Sequence, residues 1–195
     1  MKKEILNPNN KKIFFIILLS LLAIAERLWF NLGPNVELIT LTTILSAIIF
    51  RRKSVIIVPL IILSLTDLNL KNTNIMIFTW SAFVLESLAF LPLLKKTKFL
   101  NKPIFKQILF SSFFGAGASL WFFLWTNLGF FLTEPWNLYP PTFKGLIACY
   151  VAGLPFLKPN LISNIFFLPL GIFVWNSLVK PSPSLSFDAK QKRVG

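Results

Sequence analysis

The sequence contains no histidine and one cysteine, Cys149. Without histidine the chain lacks the commonest metal ligand and the side chain that most often exchanges protons near neutral pH. A single cysteine excludes both an intramolecular disulfide and a cysteine metal cluster. Zinc sites and histidine-based catalysis are thereby excluded, and no metal or other cofactor is expected. Acidic residues are scarce as well, with seven Asp and Glu against 20 Lys and Arg, for a net charge of +13. The sequence also has no Walker-type glycine loop, no Gly-x-Ser-x-Gly elbow, no carboxylates paired at metal spacing and no internal repeat. Nothing specifies a reaction, so no catalytic residue is assigned and no enzyme is expected.

What the chain does have is apolar sequence. Hydrophobic residues make up 55% of it and charged residues only 14%, a balance foreign to a water-soluble domain. Apolar runs long enough to cross hydrocarbon recur with short polar connections between them, which predicts an all-α, polytopic membrane helix bundle in one domain over 13–179. The expected helices cover about 13–30, 36–50, 54–66, 75–94, 108–132 and 161–179, giving six crossings. A short stretch at 143–157, rich in glycine, reads as a re-entrant or interfacial helix. Residues 1–12 form a basic N-terminal segment, and 180–195 a disordered basic tail. The basic start followed by an apolar run resembles a signal peptide, but Glu26, Arg27 and Leu28 stand where small residues would mark cleavage, so an uncleaved first helix is expected.

The Lys and Arg residues lie between and beside the apolar runs rather than on an amphipathic face, so they indicate anionic lipid and topology and not nucleic acid. Basic connections are retained in the cytoplasm. The N-terminus, the Arg51 loop, the 95–106 loop and the C-terminal tail are basic, whereas the connections 31–35, 67–74 and 133–142 carry only Lys71. Six crossings with both termini cytoplasmic satisfy this alternation. Lys144 and Lys158 fit it least well.

Ionisable groups inside a membrane are costly and usually face a bundle interior or a wet site. In the six-crossing arrangement Arg27, Glu37 and Asp67 all fall near the outer ends of helices, and the aromatic, amide-rich connection 133–142 returns to that side. The convergence defines an outward-facing pocket for a small-molecule ligand. Arg27 could hold a carboxylate or phosphate there, and Glu37 and Asp67 could pair with it or with a ligand cation. Trp29, Trp125, Trp136 and Tyr139 could stack on a flat ligand, and Asn35, Thr126 and Asn127 could hydrogen-bond it. The plainer alternative for each aromatic is the interfacial belt, and for Arg27 snorkelling or a pair with Glu37. Glu86 is isolated within the fourth crossing and is either a proton relay or a helix-to-helix hydrogen bond. Small residues recur every four positions at Ser111, Gly115 and Ser119 and again at Gly145, Cys149 and Gly153, faces suited to close helix packing.

Several of these residues also carry a resemblance. Arg27 followed by Pro34-Asn35, a Pro59-containing third helix ending at Asp67, and Thr126-Asn127-x-Gly129 are part of it. The most specific part is Tyr139-Pro140-x-Thr142-x-x-Gly145-Leu146-x-x-Cys149-Tyr150-x-Ala152-x-x-Pro155-Phe156. Together they resemble a bacterial membrane-protein family that looks related to the substrate-binding S components of energy-coupling-factor (ECF) transporters. The chain departs from that pattern in having no histidine ahead of the Pro-Asn pair.

The resemblance implies a multi-pass bundle in the bacterial inner (cytoplasmic) membrane that captures a small solute such as a vitamin. Its partners would be a transmembrane coupling subunit and ATPase subunits. The substrate-binding residues expected are Arg27, Asn35, Glu37, Asp67, Trp125, Asn127 and Tyr139. Two other classes compete: a membrane enzyme of lipid or envelope metabolism with Glu37 and Asp67 as acid and base, and a non-catalytic scaffold docking through its small-residue faces. A carrier working alone through Glu86 is a further variant.

Overall fold

The computed structural model describes residues 7–30, 32, 33, 35–70, 75–134 and 137–179. Among them every regular element is helical, with no strand. Helix α1, Pro8–Ala25, continues through a π-helical turn, Glu26–Phe30. It begins ahead of the apolar run because the Asn7 side chain caps it, accepting from the Asn9 N–H at 3.1 Å, and Pro8 occupies the first turn. Helix α2, Ile39–Phe50, ends where Arg51 turns left-handed (φ 54°). A 3-10 turn, Lys53–Ile56, leads into α3, Ile57–Leu70, and then comes α4, Met76–Lys96. A second 3-10 turn, Phe99–Asn101, precedes α5, Ile104–Thr133. The expected basic ends at 1–6 and 180–195 lie outside the described residues.

One expectation is corrected. Residues 143–157 and 161–179 do not form a short re-entrant piece and a separate crossing. They are one helix, α6, Phe143–Val174, extended by a π-helical turn, Trp175–Val179. Thr142 caps it, its hydroxyl accepting from the Gly145 N–H at 3.2 Å. The sequence argued for a break at Lys158-Pro159-Asn160, yet Pro155, Pro159 and Pro169 all lie inside the helix. Each proline forfeits only one backbone bond, and Asn160 is held in the helix by accepting from Ser119 Oγ and donating to the Asn35 carbonyl.

Among the described residues four stretches are long and apolar enough to cross a membrane: Asn9–Phe30, Met76–Leu94, Ile104–Thr133 and Phe143–Val179. Helices α2 and α3 are shorter. Burial supports a lipid setting, because the usual sorting is inverted. Large apolar side chains such as Phe14, Phe105, Phe113, Phe143 and Phe166 face outward, while Glu26, Thr42, Thr43, Asp67, Glu86, Gln107 and Asn164 are buried. Helix α2 is central: Ile39 through Ile49 are all buried. A helix sheathed by protein need not match the hydrocarbon thickness, which accounts for its 12 residues.

Hydrogen bonds tie the helices at both ends of the bundle. At the basic end Arg51 Nη2 donates to the Leu94 carbonyl at 2.8 Å, and Asn176 Nδ2 donates to Gln107 Oε1 at 3.0 Å. The opposite end gathers the close of α1, the start of α2 and the close of α3. Between them α5 and α6 run antiparallel in the most extensive contact of the structure. Lipid supplies little hydrophobic drive for helix pairing, so close approach and polar bonds must hold it. Gly115 lies against the Asn164 backbone. Ser119 Oγ donates to the Asn160 carbonyl at 3.2 Å, and Asn164 Nδ2 donates to Ser119 Oγ at 2.9 Å.

A Cβ at Gly115 would collide with the Asn164 backbone, whereas one at Gly117 would meet nothing within 4 Å. Gly115→Val is expected to lower unfolding stability in detergent by about 1–3 kcal/mol, as overpacking does. Gly117→Val, measured in parallel, should cost less than about 0.5 kcal/mol. Equal losses would contradict the α5–α6 register.

Candidate functional site

The polar end of the bundle is organised by one arginine. The π-helical turn after α1 carries Arg27 across to two other elements. Its Nη1 donates to Glu37 Oε1 at 2.9 Å and its Nη2 to Asp67 Oδ1 at 2.6 Å. Glu37 lies in the connection ahead of α2 and Asp67 in the last turns of α3, so a single guanidinium fastens three segments. Trp80 of α4 joins them by donating Nε1 to Asp67 Oδ2 at 2.7 Å. That bond explains why α3 runs past Asp67 to Leu70: the carboxylate turns inward to Arg27 and Trp80 instead of capping the helix end. The expected pairing of Arg27 with both carboxylates is thus present.

Side-chain exposure separates the three roles. Asp67 is 0% exposed, Arg27 7% and Glu37 24%. Asp67 is the buried anchor, and Glu37 is the carboxylate that reaches open space. Desolvation pushes the Glu37 carboxyl above its ordinary value, against the opposing pull of Arg27 and with Asp67 adding to the rise.

Beside this cluster is a cavity of about 470 Å³, in the range that holds a small organic ligand. Arg27, Asn35, Glu37, Asn127 and Tyr139 line it, so five of the seven predicted ligand residues share one wall system. They come from the close of α1, the connection to α2, the close of α5 and the segment before α6. Asp67 stands behind Arg27, outside the lining. Trp125 is also outside the lining, a correction of its expected role. Its Nε1 donates to Ser81 Oγ at 2.8 Å, and its ring stacks on Trp121 with centroids 5.3 Å apart. Trp121 Nε1 in turn donates to the Ala82 carbonyl at 3.1 Å. The two tryptophans clasp α5 to α4, because their N–H groups find acceptors on that neighbour. Trp29 faces outward at 73% exposure, and Trp136 lies outside the described residues. Glu86 is buried mid-helix in α4, away from the cavity, with neither oxygen hydrogen-bonded among the described residues.

Sequence reasoning missed much of the apolar and hydroxyl lining. Phe122, Phe130 and Phe156 provide aromatic walls, and Thr79 contributes a hydroxyl from α4. Tyr139 packs edge-on against Phe130 at 6.4 Å between centroids. Among 22 phenylalanines nothing marks these three. Position relative to Asn127 was the one available signal, and only for Phe130, which follows it by less than a turn. Gly153 is explained here too, since a Cβ there would strike the Asn127 side chain. Cys149, expected as a packing residue, lines the cavity while its Sγ donates to the Asn127 carbonyl at 3.5 Å.

A smaller polar space of about 20 Å³ adjoins the cavity, sharing Asn35, Phe122, Thr126, Asn127 and Phe156 with it and reaching down to Ser119 and Asn160. Its hydrogen bonds bind the floor to α6: Asn160 Nδ2 donates to the Asn35 carbonyl at 2.9 Å and Asn164 Nδ2 to Asn160 Oδ1 at 3.2 Å. Among the described residues no three His, Cys, Asp or Glu side chains group as a metal site.

The chain belongs to the DUF6580 family, a family of unknown function whose profile matches residues 7–185. No curated protein and no solved structure matches it.

Asp67→Asn removes one partner of a fully buried ion pair, a change that costs about 3–5 kcal/mol in such settings. Glu37→Gln, at the partly exposed arm, should cost less. Unfolding of the purified variants in mixed micelles is expected to rank Asp67→Asn well below Glu37→Gln in stability. The reverse ranking would contradict the assignment of Asp67 as the anchor.

Proposed function

We propose that this chain is a membrane-embedded substrate-binding subunit, similar to the S components of ECF transporters, that captures a small solute such as a vitamin for uptake. The observation that supports this best is the cavity of about 470 Å³ at one end of the bundle, walled by side chains from six separate stretches of sequence. Remote segments converge on a space with both charge and aromatic surface, as a pre-formed ligand site requires.

The reading includes six crossings, one for each of α1 to α6, in a bacterial inner membrane with both termini cytoplasmic. The basic connections at Arg51–Lys53 and 95–106 then face the cytoplasm, and the cavity opens outward. Lys158 becomes compatible with this topology. It lies 18 residues from Asn176, the α6 residue bonded to Gln107 at the basic end. That is about 27 Å of helix against roughly 30 Å of hydrocarbon. Lys158 therefore sits at the outer interface, and Lys144 beyond it. Energy for release would come from partner chains, a coupling subunit with its ATPases.

The enzyme reading loses support from the same geometry. Asp67 has no exposed surface, and both its oxygens are engaged by Arg27 and Trp80, so it is poorly placed to exchange a proton with a substrate. The scaffold reading loses support because Gly115, Ser119, Cys149 and Gly153 spend their small surfaces on contacts between α5 and α6.

A thermal-shift screen of the purified protein against vitamins, nucleobases, amines and lipid head groups tests the proposal. A true ligand at 100 times its Kd should stabilise the protein by about 2.7 kcal/mol, and Tyr139→Ala or Asn127→Ala should reduce the shift. Stabilisation confined to lipid head groups, with no response to any soluble compound, would contradict it.

A further inference from the structure

Resting on the binding-subunit reading, we infer that the cargo is a small organic cation with N–H donors and a flat apolar portion, held against Glu37. Two features of the cavity carry this, its balance of charge and its balance of hydrogen-bonding groups.

The charge balance follows from the ion cluster. Among the described residues Arg27 is the only cationic side chain lining the cavity, and both its Nη atoms are already committed. They are bonded to carboxylates, while Nε, without a partner among the described residues, is buried. An anionic ligand would have to break one of those pairs to reach the guanidinium, leaving a buried carboxylate uncompensated. With both carboxylates ionised, one positive charge faces two negative ones. The surplus resides at Glu37, whose Oε1 is taken by Arg27 while no described group donates to Oε2. An ammonium or amidinium could pair there without disturbing Arg27.

The hydrogen-bonding groups lean the same way. The Thr126 hydroxyl donates to the Phe122 carbonyl at 2.7 Å, the Thr79 hydroxyl to the Ile75 carbonyl at 3.3 Å, and Asn127 Nδ2 to the Phe123 carbonyl at 2.7 Å. The two threonines have used their protons on their own helices and offer oxygen lone pairs toward the cavity, while Asn127 has engaged one of its two amide protons. A site of acceptors selects a ligand of donors. Phe122, Phe130, Phe156 and Tyr139 supply faces that bind an apolar ring and attract a cation. A bare divalent metal is disfavoured, since among the described residues Glu37 is the one carboxylate in the lining and its Oε1 is already taken by Arg27.

Three indoles of matched size test the inference on wild-type protein: tryptamine as the cation, tryptophol as the neutral alcohol and indole-3-acetate as the anion. Tryptamine is expected to bind about tenfold more tightly than tryptophol, the scale of one desolvated charge contact, and indole-3-acetate not to bind. Glu37→Gln should abolish the preference for tryptamine while leaving tryptophol affinity within about twofold. Lowering the pH should weaken tryptamine alone, beginning above the ordinary carboxylate range because Glu37 is raised. Among the described residues the charged groups around Glu37 are Arg27, Asp67 and the buried Glu26, and the one cation among them, Arg27, is shared with Asp67. Equal or tighter binding of tryptophol or indole-3-acetate would overturn the charge assignment and leave the binding reading standing. If none of the three binds, the charge of the solute returned by the wider screen decides: an anionic or neutral cargo overturns the assignment, and no cargo at all overturns the reading beneath it.

Discussion

Arg27 is held between two carboxylates that the chain brings from different directions. In water such a triad would contribute little. Here two of its three members are almost wholly buried, and each charge depends on the others for compensation. The consequence reaches beyond the ion pairs. Arg27 fixes where α1 stops, Glu37 fixes how the chain enters α2, and Asp67 with Trp80 fixes α3 against α4. The cavity exists beside this knot because four segments are tied at one end and cannot collapse into the space between them. A charge cluster read as a ligand hook is first a structural clasp, and only its least buried arm, Glu37, faces the cavity with capacity to spare.

In the rest of the bundle polar side chains are buried together with an apolar core, while large apolar side chains also face outward. Hydroxyls return to their own helices, as Ser20, Thr42, Thr66 and Ser87 do. Three amides of α6 and its π-helical extension cross between segments: Asn160 reaches the connection before α2, Asn164 reaches α5, and Asn176 reaches Gln107. This division suits lipid, where every buried donor needs a partner and crossing bonds hold helices together. The cavity floor is one rung of the same ladder, so the architecture that closes the core also shapes the site.

Much of this was legible in the sequence, and the reasons differ by element. The helices announced themselves because apolar runs punctuated by Lys and Arg have few other readings. Arg27, Glu37 and Asp67 stood out because charges beside apolar runs are rare enough to be noticed singly. Trp125 misled for the opposite reason: six tryptophans carry the same signal, and only three-dimensional phase shows that its ring turns to α4. The break at Lys158-Pro159-Asn160 was misread because a proline inside a helix forfeits only one backbone bond, and the bonds of Asn160 to Ser119 and Asn35, which hold the helix there, are not visible in the sequence. Phe122, Phe130 and Phe156 were invisible in a chain so rich in phenylalanine. Trp80 was missed because its partner, Asp67, lies 13 residues away across a turn.

The coupling between Arg27 and Asp67 tests the central claim most directly. A double-mutant cycle of Arg27→Gln and Asp67→Asn, read by unfolding in mixed micelles, isolates the interaction from the effect of each substitution alone. If the pair is the clasp of the bundle, the double variant should be about 2–3 kcal/mol more stable than the sum of the single losses, since removing the second partner relieves the charge stranded by removing the first. Additivity within about 0.5 kcal/mol would mean that the two residues act independently, and that the site is held together by something other than Arg27.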